Sequence, residues 1–361
     1  MSGPISDLLG KAKEGGRLSE AEALLLLEEG DLLDLGEAAD AVRRRLHPEP
    51  VVTYIVDRNV NYTNICISGC AFCAFHRPPG HPEGYVLSRE ELEAKLRETK
   101  AAGGIQILLQ GGLHPELPLE WYEDLLRSIK AAGLHVHGFS PPEIRHLAVL
   151  QGLEVGEILR RLRTAGLDSL PGGGAEILVD RVRGALSPRK GTANQWLEVM
   201  EEAHRLGMRT TATMVFGHVE TRAERVEHLR RIREQQDRAR ARGNGGGYTA
   251  FIPWTMQTGN TRLAGIRPAG GAEYLRTLAV ARLYLDNIPH LQASWVTQGE
   301  KIAQLALRFG ADDLGSTMLE ENVVRAAGAD FRTTEARMRA LIGDLGFRPR
   351  RRNQAYGFVE P

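Results

Sequence analysis

The strongest constraint on the fold is an alternation of short apolar runs with amphipathic stretches, which begins at residue 51. The apolar runs cover residues 53–56 (leading into Val60), 105–109, 135–139, 167–170, 209–216, 248–252, 292–296 and about 311–314. Helical periodicity covers residues 88–102, 118–132, 143–165, 192–206, 221–240, 271–286 and 299–308. This alternation favours parallel strands joined by right-handed crossovers. Eight strands predict an α/β fold, a closed (β/α)8 barrel of the TIM type.

The chain divides into three predicted parts. Residues 1–50 form an N-terminal helical extension, in which Ser19 and Glu22 have the spacing of a capping box and predict a helix start. Residues 51–330 form the barrel, and residues 331–361 form a C-terminal helical tail packed on it. The arginine-rich run at residues 348–352 is interpreted as a solvated part of that tail.

Composition excludes several classes of protein. Lys+Arg and Asp+Glu both total 46, so the formal net charge is zero and nucleic acid is not an expected partner. The first residues lack the apolar core of a signal peptide, and no run is long enough for membrane insertion. We expect a cytoplasmic protein.

The polar and glycine-rich tracts mostly follow the predicted strands. In a (β/α)8 barrel the active site lies at the carboxyl ends of the strands. Eight such tracts should therefore converge on one mouth.

All three cysteines lie in residues 61–77, as Cys66, Cys70 and Cys73 in C-x3-C-x2-C spacing. An odd local trio cannot be a disulfide framework. Soft thiolates select zinc or iron-sulfur. Zinc would need His76 or His81 as a fourth ligand. A 4Fe-4S cluster held by three cysteines would instead leave one iron open to a non-protein ligand.

The cysteine spacing, with Phe72 before the last cysteine, resembles the signature of the radical SAM enzymes. Further segments, including LLQGGLHPELPLEWYE, FSPPEI, WVTQG and GSTMLEENVV, resemble the radical SAM cyclase family that makes cyclic dehypoxanthinyl futalosine in menaquinone biosynthesis. The resemblance covers roughly residues 51–357. It implies a 4Fe-4S cluster on the three cysteines, S-adenosyl-L-methionine on the open iron, and an external one-electron donor.

Several tracts are candidates for binding the cofactor. Gln110, Gly111 and Gly112 resemble the family's second-strand glycine motif, although the glycines could simply form a tight turn. Ser140 and Glu143 suit ribose hydroxyls, or could form a capping box. Phe72 and the backbone around Val215 to Gly217 are placed to contact adenine, and Phe72 could alternatively be core.

The substrate and base candidates come from the later strands. Trp254 is the best candidate for an aromatic wall, whereas Tyr248 and Trp295 are more typical of core. Polar groups for substrate are Thr297, Gln298, Ser316 and Thr317. His218 and Glu220 are candidate proton acceptors, with a structural role as the alternative.

The family resemblance implies a reaction on a small nucleoside-like substrate, dehypoxanthinyl futalosine. A hydrogen atom leaves ribose C4′, the carbon radical adds to the carboxyphenyl ring, and loss of an electron and a proton completes the product. Two alternatives stay open: a sibling enzyme such as aminofutalosine synthase, or a zinc-stabilised barrel without radical chemistry.

Overall fold

The computed structural model describes residues 3–360. Within that range the strands are β1 (Val51–Ile55), β2 (Asp57–Asn61), β3 (Gln106–Gln110), β4 (His135–Gly138), β5 (Ser169–Leu170), β6 (Arg209–Phe216), β7 (Gly247–Thr255), β8 (His290–Leu291), β9 (Asp313–Ser316) and β10 (Arg348–Arg351). The first helices are α1 (Pro4–Lys13), α2 (Glu20–Glu29), α3 (Leu32–Leu46), α4 (Arg89–Ala101), α5 (Leu119–Ala131), α6 (Pro141–Gln151) and α7 (Val155–Ala165). The later helices are α8 (Asp180–Leu186), α9 (Ala193–Arg205), α10 (Arg222–Arg242), α11 (Gly271–Tyr284), α12 (Trp295–Ala306), α13 (Val323–Ala326) and α14 (Glu335–Gly343).

Strands β2 to β8 pair in sequence order, and every pairing is parallel. The ring closes because β9 pairs with β1, and because the Asp312 amide donates to the Leu291 carbonyl (3.1 Å) beside a bridge between Gln292 and Asp313. The predicted first strand is divided at Val56 into β1 and β2. Together these two strands occupy one of eight positions, so the (β/α)8 barrel is confirmed.

The N-terminal helices lie on the outside of the barrel. The predicted capping box is present, since Ser19 Oγ accepts from the Glu22 amide (3.3 Å) and Glu22 Oε2 accepts from the Ser19 amide (2.6 Å). Helix α2 packs against α10, and α3 packs against α11. Their buried leucines join the same hydrophobic core as the barrel.

Three local predictions need correction. The expected helix over residues 143–165 is two helices, because Gly152 takes a left-handed conformation (φ 64°) and ends α6. The expected strand over residues 292–296 is wrong, since α12 begins at Trp295. Strand β7 extends to Thr255, so Trp254 lies within a strand rather than just after one.

The interpretation of residues 348–352 as a solvated tail is wrong. Strand β10 pairs in parallel with β1, and the Arg352 side chain is buried against Asp313, with Nη2 to Oδ1 at 2.9 Å. The two residues of this ion pair are 39 positions apart in sequence, which is why local composition does not reveal the pair. In the described part of the chain, no helix has the length and apolar character needed to span a bilayer.

Candidate active site

A cavity of about 330 Å³ runs from the carboxyl ends of the strands into the barrel. The sequence-predicted residues that line it are Cys66, Cys70, Phe72, Cys73, Gln110, Gly111, Gly112, Ser140, Glu143, Trp254, Thr297 and Ser316. The predicted residues that do not line it are Gly217, His218, Glu220, Gln298 and Thr317. The barrel therefore brings most of the predicted cofactor side together, but only part of the predicted substrate side.

The cysteine loop is fixed by its own backbone and by neighbouring strand ends. The Cys66 amide donates to the Arg77 carbonyl (2.9 Å), and the Leu113 amide donates to Cys66 Sγ (3.3 Å). Ser68 Oγ lies 3.0 Å from Cys66 Sγ and 3.3 Å from Cys70 Sγ. All three thiols are free and at least half buried beside the cavity.

The spacing of the sulfurs distinguishes the two metal hypotheses. Within residues 3–360, the three sulfurs are not all within 4.8 Å of one another, and no cysteine belongs to a group close enough to share one ion. Tetrahedral zinc with bonds of about 2.3 Å would place its sulfurs about 3.8 Å apart. His76 Nδ1 bonds the Cys73 carbonyl (2.7 Å), and contact of the same imidazole with the Cys73 thiol raises the pKa of His76. His81 Nδ1 accepts from the Glu83 amide (3.1 Å). The sulfurs as placed therefore do not form a closed tetrahedral site, and three soft thiolates beside a cavity are a donor set that a 4Fe-4S cluster with one open iron would use.

A cation beside the cysteines was not predicted. Lys190 Nζ donates to Glu176 Oε1 (2.9 Å) and lies 5.0 Å from the centre of the Phe72 ring. Burial opposes the charged ammonium, but the Cys70 thiol and the Glu176 carboxylate outweigh it and raise the pKa of Lys190. Burial likewise opposes the charge on Glu176, yet Lys190 and Arg183 lower the pKa of that carboxyl. The cavity wall thus holds a charged pair next to the thiols.

Gly111 and Gly112 are required by close packing rather than by a turn. Neither has a positive φ. A Cβ on Gly111 would lie 2.5 Å from the Tyr62 ring, and one on Gly112 would lie 2.1 Å from the Ile65 carbonyl oxygen. The tract therefore packs directly against the start of the cysteine loop.

Glu143 organises this side of the cavity. Its Oε1 accepts from the Tyr62 hydroxyl (2.6 Å) and the Gly111 amide (3.0 Å), and its Oε2 accepts from Ser140 Oγ (2.5 Å). Ser140 makes no side-chain cap, so the alternative capping box is not formed. Burial raises the pKa of Glu143 to about 7 against the lowering effect of these hydrogen bonds.

Comparisons with known proteins agree with this geometry. Residues 60–232 match the family described as the Radical SAM superfamily, and residues 245–361 match the CofH/MqnC C-terminal region. The chain is 43% identical to the cyclic dehypoxanthine futalosine synthase of Halalkalibacterium halodurans, covering 98% of this chain and 95% of that one. It is 45% identical to the synthase of the same name from Streptomyces coelicolor, covering 98% and 88%. The chain belongs to the cyclic dehypoxanthine futalosine synthase family of radical SAM enzymes.

Other relatives mark the neighbours of this family. The 5-amino-6-(D-ribitylamino)uracil–L-tyrosine 4-hydroxyphenyl transferase of Methanopyrus kandleri is 40% identical, covering 90% of this chain and 93% of that one. In structure, the chain is similar to methylornithine synthase (TM-score 0.71, 19% identity, covering 95% and 97%). It is also similar to the FeFe-hydrogenase maturase of Carboxydothermus hydrogenoformans (TM-score 0.73, 17% identity, covering 98% and 80%). These structural likenesses show that the chain has the barrel fold.

The structure does not place His218 and Glu220 where a base is needed. His218 Nε2 bonds the Val215 carbonyl (2.8 Å), and Glu220 accepts from the Gly217 amide (2.7 Å) and from Arg225 Nε (2.8 Å). Both side chains are buried away from the cavity. Burial opposes ionisation of Glu220, but contacts with His218 and Arg225 lower its pKa to about 2. Residues 217–220 therefore form a charged turn with a structural role.

On the predicted substrate side, Trp254 lines the cavity, and its buried indole N–H has no hydrogen-bond partner within residues 3–360. Trp295 also lines it, but its indole N–H donates to the Ser316 carbonyl (2.9 Å). Ser316 Oγ donates to Asp57, and Thr297 Oγ1 bonds Ser294 Oγ (2.9 Å). Gln298 does not line the cavity, but its Nε2 donates to Oγ1 of Thr255 (2.5 Å), which does. Thr317 is buried off the cavity.

The cavity floor was missed by the sequence predictions. It includes Asp57, Gln106, His137, Arg352, Gln354 and Tyr356. Gln106 Nε2 donates to Asp57 Oδ2 (2.8 Å), and Gln354 Nε2 lies 3.3 Å from His137 Nε2. Burial lowers the pKa of His137 well below its usual range, so the imidazole is neutral. Polar residues at inward positions of β2, β3 and β4 were the available signal for half of this set, because barrel interiors usually carry branched apolar residues.

Proposed function

We propose that the protein is a radical SAM cyclase that converts dehypoxanthinyl futalosine to cyclic dehypoxanthinyl futalosine in menaquinone biosynthesis. The observation that carries the proposal is a single cavity that joins three free thiols to a tryptophan and a polar floor. Relatives of that name at 43% and 45% identity support the choice of substrate.

Cys66, Cys70 and Cys73 would hold a 4Fe-4S cluster, and the three free thiols beside the cavity support this assignment. With S-adenosylmethionine bound and an external one-electron donor, this group would supply radical chemistry, the removal of a hydrogen atom from a carbon by a 5′-deoxyadenosyl radical. The chain contributes the thiolates and the nearby Lys190 charge, which offsets the negative charge that three thiolates concentrate at the mouth.

We assign S-adenosylmethionine to the side of the cavity formed by the ends of β3 and β4. Phe72, Gln110, Gly111, Gly112, Ser140 and Glu143 line this side. Glu143 holds the Gly111 amide, so the backbone of the glycine tract has one orientation in which its carbonyls can accept from a ligand ammonium. Gly217 was expected to contact adenine, but its placement off the cavity removes it from the assignment.

We assign the substrate to Trp254 on β7, Thr297 on α12 and Ser316 on β9, all of which line the cavity. An aromatic wall suits the carboxyphenyl ring, because offset aromatic contacts contribute about 0.5–1.5 kcal/mol beyond burial. The indole N–H of Trp254 would donate to a polar group of the substrate.

Ring closure ends with loss of a proton from the substrate ring and of one electron to a one-electron acceptor. The proton acceptor must face the cavity, which removes His218 and Glu220 from that role. The carboxylic acids and imidazoles that line the cavity are Asp57, His76, His137, Glu143 and Glu176. Hydrogen bonds hold each of these groups in a defined position.

Anaerobic incubation of the iron-reconstituted protein with dehypoxanthinyl futalosine, S-adenosylmethionine and a low-potential reductant tests the proposal. We expect the spirocyclic product together with 5′-deoxyadenosine. Release of 5′-deoxyadenosine without cyclised product would reject the substrate while keeping the radical chemistry. Zinc without iron and sulfide in anaerobically purified protein would reject both.

A second candidate function follows from the transferase relatives. Proteins named as 5-amino-6-(D-ribitylamino)uracil–L-tyrosine transferases reach 39–41% identity over most of this chain. The same assay with 5-amino-6-(D-ribitylamino)uracil and L-tyrosine separates the two. A product from this pair, with none from dehypoxanthinyl futalosine, would favour the transferase.

A further inference from the structure

The floor of the cavity is made partly by the C-terminal segment of residues 352–356, which follows β10. Arg352, Gln354 and Tyr356 alternate along this segment, and all three line the cavity. The barrel is thus closed below by side chains that come from the far end of the sequence.

Tyr356 is held firmly in this floor. Its backbone has a positive φ of 63°, and its ring stacks on His290 with ring centres 3.5 Å apart and an angle of 2° between the planes. The Arg352 guanidinium lies 4.1 Å from the same ring, and Arg352 is itself fixed by Asp313. Asn353 Oδ1 accepts from the amides of Ala355 (2.9 Å) and Gly357 (3.0 Å), which pins the turn. Non-glycine residues with positive φ persist where the surroundings impose them.

Two buried polar atoms of the floor have no protein partner. The Tyr356 hydroxyl and Gln106 Oε1 make no hydrogen bond to any residue from 3 to 360. Gln106 is 2% exposed, and its amide orientation is set because Nε2 donates to Asp57. Burial raises the pKa of Tyr356 well above its usual value, so the hydroxyl keeps its proton. Buried polar groups nearly always find a partner, and those that do not are often completed by a ligand or water.

We propose that Tyr356 and Gln106 form a subsite for hydroxyl groups of the substrate. Gln106 Oε1 can only accept, so the ligand group must donate, whereas the Tyr356 hydroxyl can donate or accept. A sugar hydroxyl meets both requirements, but a carboxylate cannot donate to Gln106 and would also face Asp57. The inference rests on the proposed function, in which the substrate carries a ribose.

The test compares Tyr356→Phe with Tyr248→Phe. Tyr248 is a matched control, because its buried hydroxyl donates to Gln235 Oε1 (2.5 Å) and it does not line the cavity. Thermal unfolding and calorimetric binding of dehypoxanthinyl futalosine are measured on the reconstituted enzyme without reductant, so that no turnover occurs.

We expect Tyr356→Phe to leave Tm unchanged or raised and to weaken binding about tenfold, the equivalent of about 1.4 kcal/mol. We expect Tyr248→Phe to lower Tm by about 2 °C and to leave binding unchanged. Two results would overturn the subsite: a loss of Tm in Tyr356→Phe as large as that in Tyr248→Phe, or unchanged affinity in Tyr356→Phe.

The wild-type enzyme separates failure of the subsite from failure of the proposed function. If the wild type binds dehypoxanthinyl futalosine without cyclising it, the function fails and the affinity comparison still decides the subsite. If the wild type does not bind it, the titrations are repeated with 5-amino-6-(D-ribitylamino)uracil, whose ribityl chain also carries hydroxyls. Binding of neither compound by the wild type overturns the subsite as well.

Discussion

Glu143 and Glu220 lie beyond the carboxyl ends of two barrel strands, and each accepts the amide of a nearby glycine, at 3.0 Å and 2.7 Å. Glu143 faces the cavity with two hydroxyls and no ion-pair partner, and its pKa rises to about 7. Glu220 faces away and ion-pairs with Arg225, and its pKa falls to about 2. A carboxylate at a strand end therefore acquires its role from the direction it faces and from the charge beside it.

The largest expected difference between these two carboxylates is in stability. Glu220→Ala should lower the free energy of unfolding by about 3–5 kcal/mol, because Arg225 is buried and loses one of its two carboxylate partners. Urea denaturation monitored by circular dichroism measures this. Glu93→Ala is the control, since its partner Arg89 is 78% exposed and the loss should stay below about 1 kcal/mol. A Glu220→Ala variant as stable as the control would show that the pair is not structural.

The second prediction uses the opposite pKa shifts of the two carboxyls. The folded-state pKa of Glu143 lies above 4.5, so the folded protein binds the extra proton and loses up to about 3 kcal/mol of stability as pH rises from about 4.5 to about 7. The folded-state pKa of Glu220 lies below 4.5, so its contribution is present above that pH and is lost as pH falls toward about 2.

Unfolding curves from pH 3 to pH 8 for the wild type, Glu143→Gln and Glu220→Gln check these signs. Glu143→Gln should flatten the neutral limb only, and Glu220→Gln the acid limb only. If both variants change the same limb, the comparison between the two carboxylates is wrong.

Enzyme activity should depend more on Glu143 than on Glu220, which is the reverse of the order expected for stability. Glu143→Ala leaves the Tyr62 and Ser140 hydroxyls and the Gly111 amide without their acceptor. Loss of this positioning should lower kcat about 100-fold. Steady-state formation of 5′-deoxyadenosine and of cyclised product measures the effect. Glu220→Ala, assayed well below its Tm, should retain kcat within a few fold of the wild type. Equal losses of kcat in both variants would argue against the distinction.

Gly111 and Gly217, whose amides donate to the two carboxylates, extend the comparison with smaller expected effects. In Gly111→Ala the new Cβ meets the Tyr62 ring, whereas in Gly217→Ala it meets Ala269 at 2.7 Å on a backbone with φ 84°. Each should lower stability by about 1–3 kcal/mol. Only Gly111→Ala should also raise the KM for S-adenosylmethionine. A raised KM in Gly217→Ala would return that glycine to the cofactor site.

The smallest expected effect concerns two adjacent residues of α12. Thr297 lines the cavity and Gln298 does not. Thr297→Val should raise the KM for substrate a few fold, about 0.5–1.5 kcal/mol for one hydrogen bond, and Gln298→Ala should leave KM unchanged. Competition assays of the two variants against the wild type resolve this difference. A larger KM effect from Gln298→Ala would reverse the assignment of the helix face.

Local signals were enough to predict the barrel and the cysteine loop. Strand and helix periods are properties of neighbouring residues, and Cys66, Cys70 and Cys73 lie within eight positions of one another. Residues 292–296 were misassigned because a short apolar run looks the same in a strand and at the start of a buried helix.

The rest depends on contacts between residues far apart in sequence. His218 and Glu220 follow a strand, and this position predicts their level in the barrel correctly. It does not predict the direction of their side chains, which is set by hydrogen bonds within the turn and by Arg225. Lys190 reaches the thiols from a short 3-10 turn more than a hundred residues after them. Tyr356 reaches the floor only because β10 pairs with β1. No local pattern encodes these approaches.

The pairing of β1 with β9 and β10 also constrains how the chain can mature. Both partners of β1 lie more than 250 residues later, so a nascent chain exposes unpaired strand edges until β9 and β10 have left the ribosome. The cysteine loop is synthesised early, but the cavity that it lines has no floor until residues 352–356 have been synthesised. The 4Fe-4S cluster proposed above would therefore enter a finished pocket only after residues 352–356 have been synthesised. Chains that stop short of β10 should present open edges to chaperones and proteases.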